Sequence, residues 1–232
     1  MAQSLFSMLK ESLILLGINL KVKIINLIEY LHVIVRYYSH LQFAKIDLAL
    51  LLSYFFANPF RISKQFLMQK GEQEIYAYGE TPLTTLEEIA RQCEIAAQDV
   101  VFELGCGRGR TCFWLNQWIG CTVVGIDYVP IFIEKAEKIK ERFQLQKIAF
   151  RLEDLFQTDL QGATVIYLYG TCFPAEDIDL LIDRLSKLPS GTKIITISYA
   201  LTEFQPRAPF RMIKQFPASF TWGWADVYLQ VR

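Results

Sequence analysis

The chain predicts an α/β domain: a doubly wound, mostly parallel sheet of seven strands closed by an antiparallel C-terminal hairpin, with an apolar helical segment ahead of it. Three observations carry this. From Gly71 onward, short apolar runs alternate with amphipathic stretches, the pattern of parallel strands joined by crossover helices. The last two apolar runs, Arg211–Phe220 and Asp226–Val231, flank Trp222-Gly223-Trp224 without room for a crossover, which forces an antiparallel pair at the sheet edge. Residues 1–70 lack the alternation and read as apolar helix.

Within that first segment, Asn19, Lys23, Asn26, Glu29, His32 and Arg36 recur every three or four positions, a narrow polar stripe on a mostly apolar helix. A second helix is expected over His40–Ala57, ending at Asn58-Pro59 because proline disfavours helix in the residue before it. The longest charge-free stretch, Leu48–Phe60, has 13 residues. At ~1.5 Å per residue it covers roughly 20 Å, short of the ~30 Å hydrocarbon core. Lys21 and Lys23 interrupt the first helix in the same way. A simple membrane span is therefore disfavoured, and two readings remain: a cap packed on the domain, or an interfacial anchor facing anionic lipid.

After Gly71, a helix over Thr85–Gln92 carries two capping-box patterns, Thr84…Glu87 and Thr85…Glu88. Strands follow at Val100–Leu104, Thr122–Asp127, Ile148–Leu152, Thr164–Tyr169 and Lys193–Tyr199. The division is thus 1–70 for the helical segment and 71–232 for the sheet domain.

The formal charge is zero and the pI about 6.7, so no global feature argues for nucleic acid. The charge is uneven: residues 1–70 carry eight Lys/Arg against three Asp/Glu, net +5, and the remainder is net −5. That asymmetry favours peripheral membrane contact through residues 1–70. The five cysteines form no C-x-x-C pair and read as reduced thiols of a cytoplasmic protein. No cluster has metal-ligand spacing, and the histidines, His32 and His40, fall in the helical segment.

The most informative stretch is Val100-Val-Phe-Glu-Leu-Gly-Cys-Gly-Arg-Gly-Arg110. A buried strand ends in an acid, breaks into three alternate glycines, and leads at once into a helix over Thr111–Ile119. A ligand would sit on backbone amides at a strand tip and a helix N-terminus. Cys106 within the loop reads as a small residue that fits. Three carboxylates fall at the tips of the first three strands: Glu103, Asp127 and Asp154. Asp127 lies 18 residues after the last loop glycine, where a carboxylate accepts ribose hydroxyls; that position alone fits NAD equally well. Asp154 can accept an adenine amino group. Glu103 would repel a pyrophosphate but suits the ammonium and sulfonium of S-adenosylmethionine. The spacing is also Gly-x-Gly-x-Gly, not the dinucleotide Gly-x-Gly-x-x-Gly. A Rossmann-like sheet finished by an antiparallel strand resembles class I S-adenosylmethionine-dependent methyltransferases.

A second segment narrows the resemblance. Tyr76-Ala77-Tyr78-Gly79-Glu80-Thr81-Pro82, ahead of the first strand, is similar to the cofactor-covering loop of the non-SET histone lysine methyltransferases of the disruptor-of-telomeric-silencing class. The likeness continues through the Gly loop, through Val165-Ile166-Tyr167-Leu168 and into the Trp-containing hairpin, covering roughly residues 75–230. The region around the fourth and fifth strands is also similar to the ATP-synthase c-subunit lysine methyltransferases. The resemblance implies S-adenosylmethionine as cofactor and a protein lysine as acceptor. It implies that Tyr78, Glu80 and Thr81 cover the methionine half, and that Glu103, Gly105, Cys106, Gly107 and Arg110 form the floor. Asp127 with Tyr128, and Asp154 with Leu155, would hold ribose and adenine. Arg110 replaces a shorter polar residue of the histone enzymes and would meet the cofactor carboxylate. After the fourth strand those enzymes have paired asparagines; this chain has Tyr169-Gly170-Thr171-Cys172-Phe173, so a histone substrate does not follow. Tyr169 is the expected acceptor-positioning residue, with Tyr76, Thr171, Phe173, Trp222 and Trp224 as candidate walls of the acceptor pocket. Two other readings stay open: a small-molecule or lipid methyltransferase, and a catalytically inactive S-adenosylmethionine-binding adaptor.

Overall fold

The computed structural model describes residues 2–170 and 173–232, and the side chains of residues 20–170 and 173–232. Thr171 and Cys172, and the side chain of Asn19, lie outside the described residues.

Seven strands form one sheet: β1 (Val100–Leu104), β2 (Thr122–Asp127), β3 (Ile148–Leu152), β4 (Val165–Leu168), β5 (Lys193–Ile197), β6 (Arg211–Phe220) and β7 (Gly223–Val231). Their order is β3-β2-β1-β4-β5-β7-β6. The first five run parallel, and β7 inserts antiparallel between β5 and the edge strand β6. Both faces are covered. Val101, Val123, Val165 and Ile195 point into one apolar core, while Phe102, Val124, Ile166 and Ile194 point into the other. Alternate side chains buried on opposite faces explain why the parallel strands read as continuous apolar runs. The hairpin turn is tighter than expected: Phe220 pairs with Gly223, so Trp224 is already in β7, opposite Ser219. Pro217, which cannot donate a ladder hydrogen bond, sits in the edge strand.

The helices are α1 (Ala2–Tyr37), α2 (Leu41–Ser53), α3 (Pro59–Lys70), α4 (Leu83–Gln92), α5 (Arg110–Trp114, continued by a π-helical turn over Leu115–Ile119), α6 (Pro130–Arg142), α7 (Ala175–Leu185) and α8 (Leu201–Phe204). Helix α3 is an addition to the sequence reading. Its signals were present: the Asn58 side chain accepts from the amides of Phe60 and Arg61, Pro59 holds the first helical position, and Gly71 closes the helix at φ +77°. The Asn-Pro pair that ends one helical run is the start of the next.

The expected capping boxes at the head of α4 are not formed. Helix α4 begins at Leu83, so both threonines are already inside it. Thr84 donates to Glu29 of α1, Thr85 to the carbonyl of Ser219, Glu87 receives Arg36 and Tyr37 of α1, and Glu88 receives Arg91 and Gln92. Tertiary partners outcompeted the local cap.

Helices α1 and α2 pack on the domain as a cap. Val33, Tyr37, Phe43, Ile46, Leu50 and Tyr54 belong to the same apolar core as α4, α5 and α6. Part of the polar stripe faces inward, Glu29 on Thr84 and Arg36 on Glu87. The apolar side is left outward: Leu27, Leu31 and Val35 of α1, Leu41, Leu48 and Leu52 of α2, and Phe55 and Phe56 after it are exposed, Phe56 by 93%. No helix among the described residues is long and apolar enough to cross a membrane.

Candidate active site

The site forms where β1 and β2 end and the Tyr78–Thr81 loop folds back over them. A crevice enclosing about 320 Å³ of empty space, part of it open to solvent, is lined by Gly79, Glu80, Thr81, Glu103, Gly105, Cys106, Arg108, Arg110, Thr111 and Tyr169. The Gly loop takes the backbone that glycine allows: Gly107 has φ +53°, and a Cβ there would meet the Tyr78 ring at 2.9 Å. The cover loop and the floor are therefore in direct contact.

Each carboxylate has a defined place. Asp127 accepts from the Gly107 amide at 2.8 Å with one oxygen and from the Val129 amide at 2.9 Å with the other. It ties the Gly loop to the start of α6. Glu103, buried, accepts from the Thr111 hydroxyl and from the Cys112 thiol at 2.9 Å, an acid at the N-terminus of α5 that the helix dipole favours. Asp154 caps its own turn, accepting from the Phe156 amide at 2.8 Å and the Gln157 side chain at 3.0 Å. Of the three, Glu103 lines the crevice, while Asp127 ends β2 beside it and Asp154 follows the end of β3 by two residues, neither being part of the lining. Tyr128 takes the edge of Phe66 from α3 at 5.1 Å, and Leu155 is half-buried against the second core.

Burial pushes the Glu103 carboxyl up to about 7 and that of Asp127 up to about 6, despite the hydrogen bonds each accepts. Burial likewise pushes the Cys106 thiol up to about 11, so it is a neutral packing residue near pH 7. Both folded carboxyl values lie above the ordinary ~4. Their stabilising contribution is therefore complete below about pH 4 and lost as pH rises through the folded values. A ligand bearing an ammonium beside Glu103 reverses that preference by favouring the ionised form. Cofactor affinity should fall as pH drops below about 7, and binding near pH 6.5 should release protons. Calorimetry in buffers of different ionisation enthalpy measures that release; an equal heat in all buffers at pH 6.5 would contradict it.

The cover loop is pinned by residues that sequence reasoning did not single out. Thr81 Oγ1 and Tyr167 Oη are 2.5 Å apart in the core. Glu80 accepts from the Tyr78 hydroxyl and from Arg108 Nη2 at 2.7 Å, and the ion pair brings Arg108 Nε to 2.6 Å. Burial alone would raise the Glu80 carboxyl; Arg108 holds it below its ordinary value. Arg110 lines the crevice, but its guanidinium is committed to Asp47 of α2 through two bonds, of 2.7 and 2.8 Å, instead of standing free for a cofactor carboxylate. Asp47 is 1% exposed and also receives Tyr38. A lone aspartate in an apolar helix was the available signal, since a buried charge needs a partner.

The aromatic candidates separate. Tyr169 lines the crevice, its hydroxyl receives the Trp222 indole N–H at 2.6 Å, and Phe220 of the hairpin stacks on Trp222 and meets Tyr169 at a tilt. A Cβ on Gly79 would strike the Tyr169 ring at 2.6 Å, so the cover loop also touches this wall. Phe173 instead meets Phe156 on the other side of the sheet. Tyr76 is exposed and bonds Lys64 of α3, and Trp224 is exposed on β7. Among the described residues no group of His, Cys, Asp and Glu could hold a metal ion.

Known proteins are similar to this chain in sequence and fold. The family model for the ANTKMT methyltransferase domain matches residues 103–208. A histone-lysine N-methyltransferase, H3 lysine-79 specific, from Dictyostelium discoideum is 27% identical over 165 residues, which cover 64% of this chain and 9% of that protein. Among solved structures, an RNA methyltransferase from Salinibacter ruber in complex with S-adenosyl-L-homocysteine aligns with TM-score 0.53 and 25% identity, over 66% of this chain and 93% of that one. Magnesium protoporphyrin IX methyltransferase from Synechocystis, with S-adenosylmethionine bound, aligns with TM-score 0.55 and 15% identity, over 77% and 93%; at that identity it bears on fold alone. The residues at the strand tips fit the same cofactor: carboxylates and loop amides instead of a phosphate cradle. The chain is thus similar to class I S-adenosylmethionine-dependent methyltransferases, the non-SET lysine methyltransferases among them.

Proposed function

We propose that the protein methylates an amine, a protein lysine, at a membrane surface on the cytoplasmic side. The observation that carries the acceptor reading is the wall of Tyr169, Phe220 and Trp222 beside the cofactor crevice. Ring faces favour an alkylated ammonium, the product of the transfer, by ~1–2 kcal/mol, and the hydration a lysine loses at the crevice favours the neutral amine that attacks. The cofactor supplies a sulfonium-activated methyl group. The chain's own residues align it and exclude water: Tyr78 and Glu80 from above, the Gly loop from below, Tyr169 at the acceptor side. The match to the ANTKMT domain and the lysine-specific relative support the same acceptor. A lipid acceptor calls for a closed apolar pocket, whereas the acceptor wall ends in Trp222, which is exposed. Transfer of tritiated methyl into a lysate, split into protein and organic-soluble fractions, tests this. Label is expected in protein and, after hydrolysis, in methyl-lysine; label only in the organic fraction would assign a lipid, and none in either despite tight cofactor binding would assign an adaptor.

The membrane reading rests on the outer face of the cap. Leu41, Leu48, Leu52, Phe55, Phe56, Phe60 and Met68 are exposed, while Lys21, Lys23, Lys45, Arg61 and Lys70 are exposed cations of the same segment. Both described carboxylates of the segment, Glu29 and Asp47, face inward, so its outward charge is positive. Anionic lipid complements that surface, each cation near it contributing about 1 kcal/mol. Replacing Phe55 and Phe56 together by serine should cut pelleting with phosphatidylserine-containing liposomes by about tenfold without lowering the melting temperature. Unchanged pelleting, or none for the unaltered protein, would make the segment a cap alone.

A further inference from the structure

The N-terminal helices supply a residue to the cofactor site as well as a roof over it. Tyr54, at the C-terminus of α2, is 6% exposed, and its buried hydroxyl has no hydrogen-bond partner among the described residues. A buried polar group left unbonded costs roughly 1–3 kcal/mol, so its persistence calls for an explanation. The surroundings give one. The ring packs on Phe132, which also carries Tyr78 of the cover loop, with centroids at 6.2 and 5.1 Å. The Arg108 guanidinium lies 5.8 Å from the ring centroid and the Lys135 ammonium 4.1 Å. The ionised groups acting on the hydroxyl are Arg108 and Glu80, which line the cofactor crevice, and Asp127, which holds its Gly loop. The other buried tyrosine without a hydrogen bond, Tyr199, feels burial alone.

S-adenosylmethionine offers oxygens in two places, the ribose and the α-carboxylate. The ribose falls to Asp127 at the tip of β2. The carboxylate needs hydrogen-bond donors and a nearby cation, and Arg110, the cation the sequence offered for it, is held by Asp47. The Tyr54 hydroxyl supplies the donor, and the cation nearby is Arg108, 5.8 Å from the ring while paired with Glu80. We propose that Tyr54 is a cofactor-binding residue contributed by the N-terminal segment, its hydroxyl donating a hydrogen bond to the α-carboxylate of the methionine half. Burial raises the hydroxyl's pKa further, which keeps it a donor at every physiological pH. The proposal rests on the cofactor assignment and deepens it.

Calorimetry on the full chain with two probes tests it: S-adenosylhomocysteine, which carries the carboxylate, and 5′-methylthioadenosine, which lacks it. Tyr54→Phe removes one oxygen and leaves the ring packing. It should weaken S-adenosylhomocysteine by about tenfold, in keeping with a hydrogen bond to a charged group, and leave 5′-methylthioadenosine within about twofold. The melting temperature without ligand should stay level or rise, while its increase on adding S-adenosylhomocysteine should shrink. Equal affinity for S-adenosylhomocysteine in both proteins, or an equal loss for both probes, would overturn the assignment to the carboxylate. Failure of the unaltered protein to bind S-adenosylhomocysteine would instead remove the cofactor reading itself.

Discussion

Asp47→Ala is expected to lower the melting temperature by about 6–20 °C. Removing one partner of a buried ion pair costs about 3–5 kcal/mol, and each kcal/mol shifts a chain of this size by about 2–4 °C. The pair qualifies as buried: the Asp47 side chain is 0% and that of Arg110 12% exposed. Alanine would strand the guanidinium beneath the cap and leave Tyr38 without its acceptor. Because Arg110 opens α5 directly behind the Gly loop, S-adenosylhomocysteine affinity should fall as well. Pairing the change with Arg110→Met should recover part of the stability, since an apolar pair of similar volume carries no desolvation penalty. A loss below 1 kcal/mol by thermal or urea unfolding would mean that the ion pair does not hold cap to domain.

Asp127→Ala should weaken S-adenosylhomocysteine by about a hundredfold or more. The carboxylate is the proposed ribose acceptor and also pins the Gly107 and Val129 amides. Its removal deletes a charge-assisted ligand contact and loosens the loop that presents the backbone, each worth roughly 1.5–3 kcal/mol. Asp127→Asn, which keeps an acceptor in place, should lose less. Titration calorimetry decides the matter, and an alanine variant within threefold of the unaltered protein would dismiss Asp127 as the ribose residue.

Local pattern carried a large part of the architecture. Parallel strands buried on both faces are continuous apolar runs, so β1 to β5 showed themselves from composition and length alone. The hairpin was legible because too few residues separate its strands for a crossover. The Gly loop and the acids at the strand tips were legible because strand, turn and helix follow one another without a gap. What was misread turned on competition between local and distant partners. The threonines ahead of α4 have a capping spacing, yet Glu29, Arg36, Tyr37 and Ser219 claim the groups that a cap would use.

The residue string by itself determined the strands, the antiparallel hairpin and the acids at the strand tips, because each of these elements is written in neighbours within a dozen positions. Only the tertiary structure decided which cation meets which carboxylate. Arg110 goes to Asp47 and Arg108 to Glu80, across separations of 63 and 28 residues. It also decided that the first helices share the domain's core while turning an apolar side outward. Those outcomes follow from burial: a charge withdrawn from water must find its counter-charge wherever packing brings one, and sequence distance does not enter that energy.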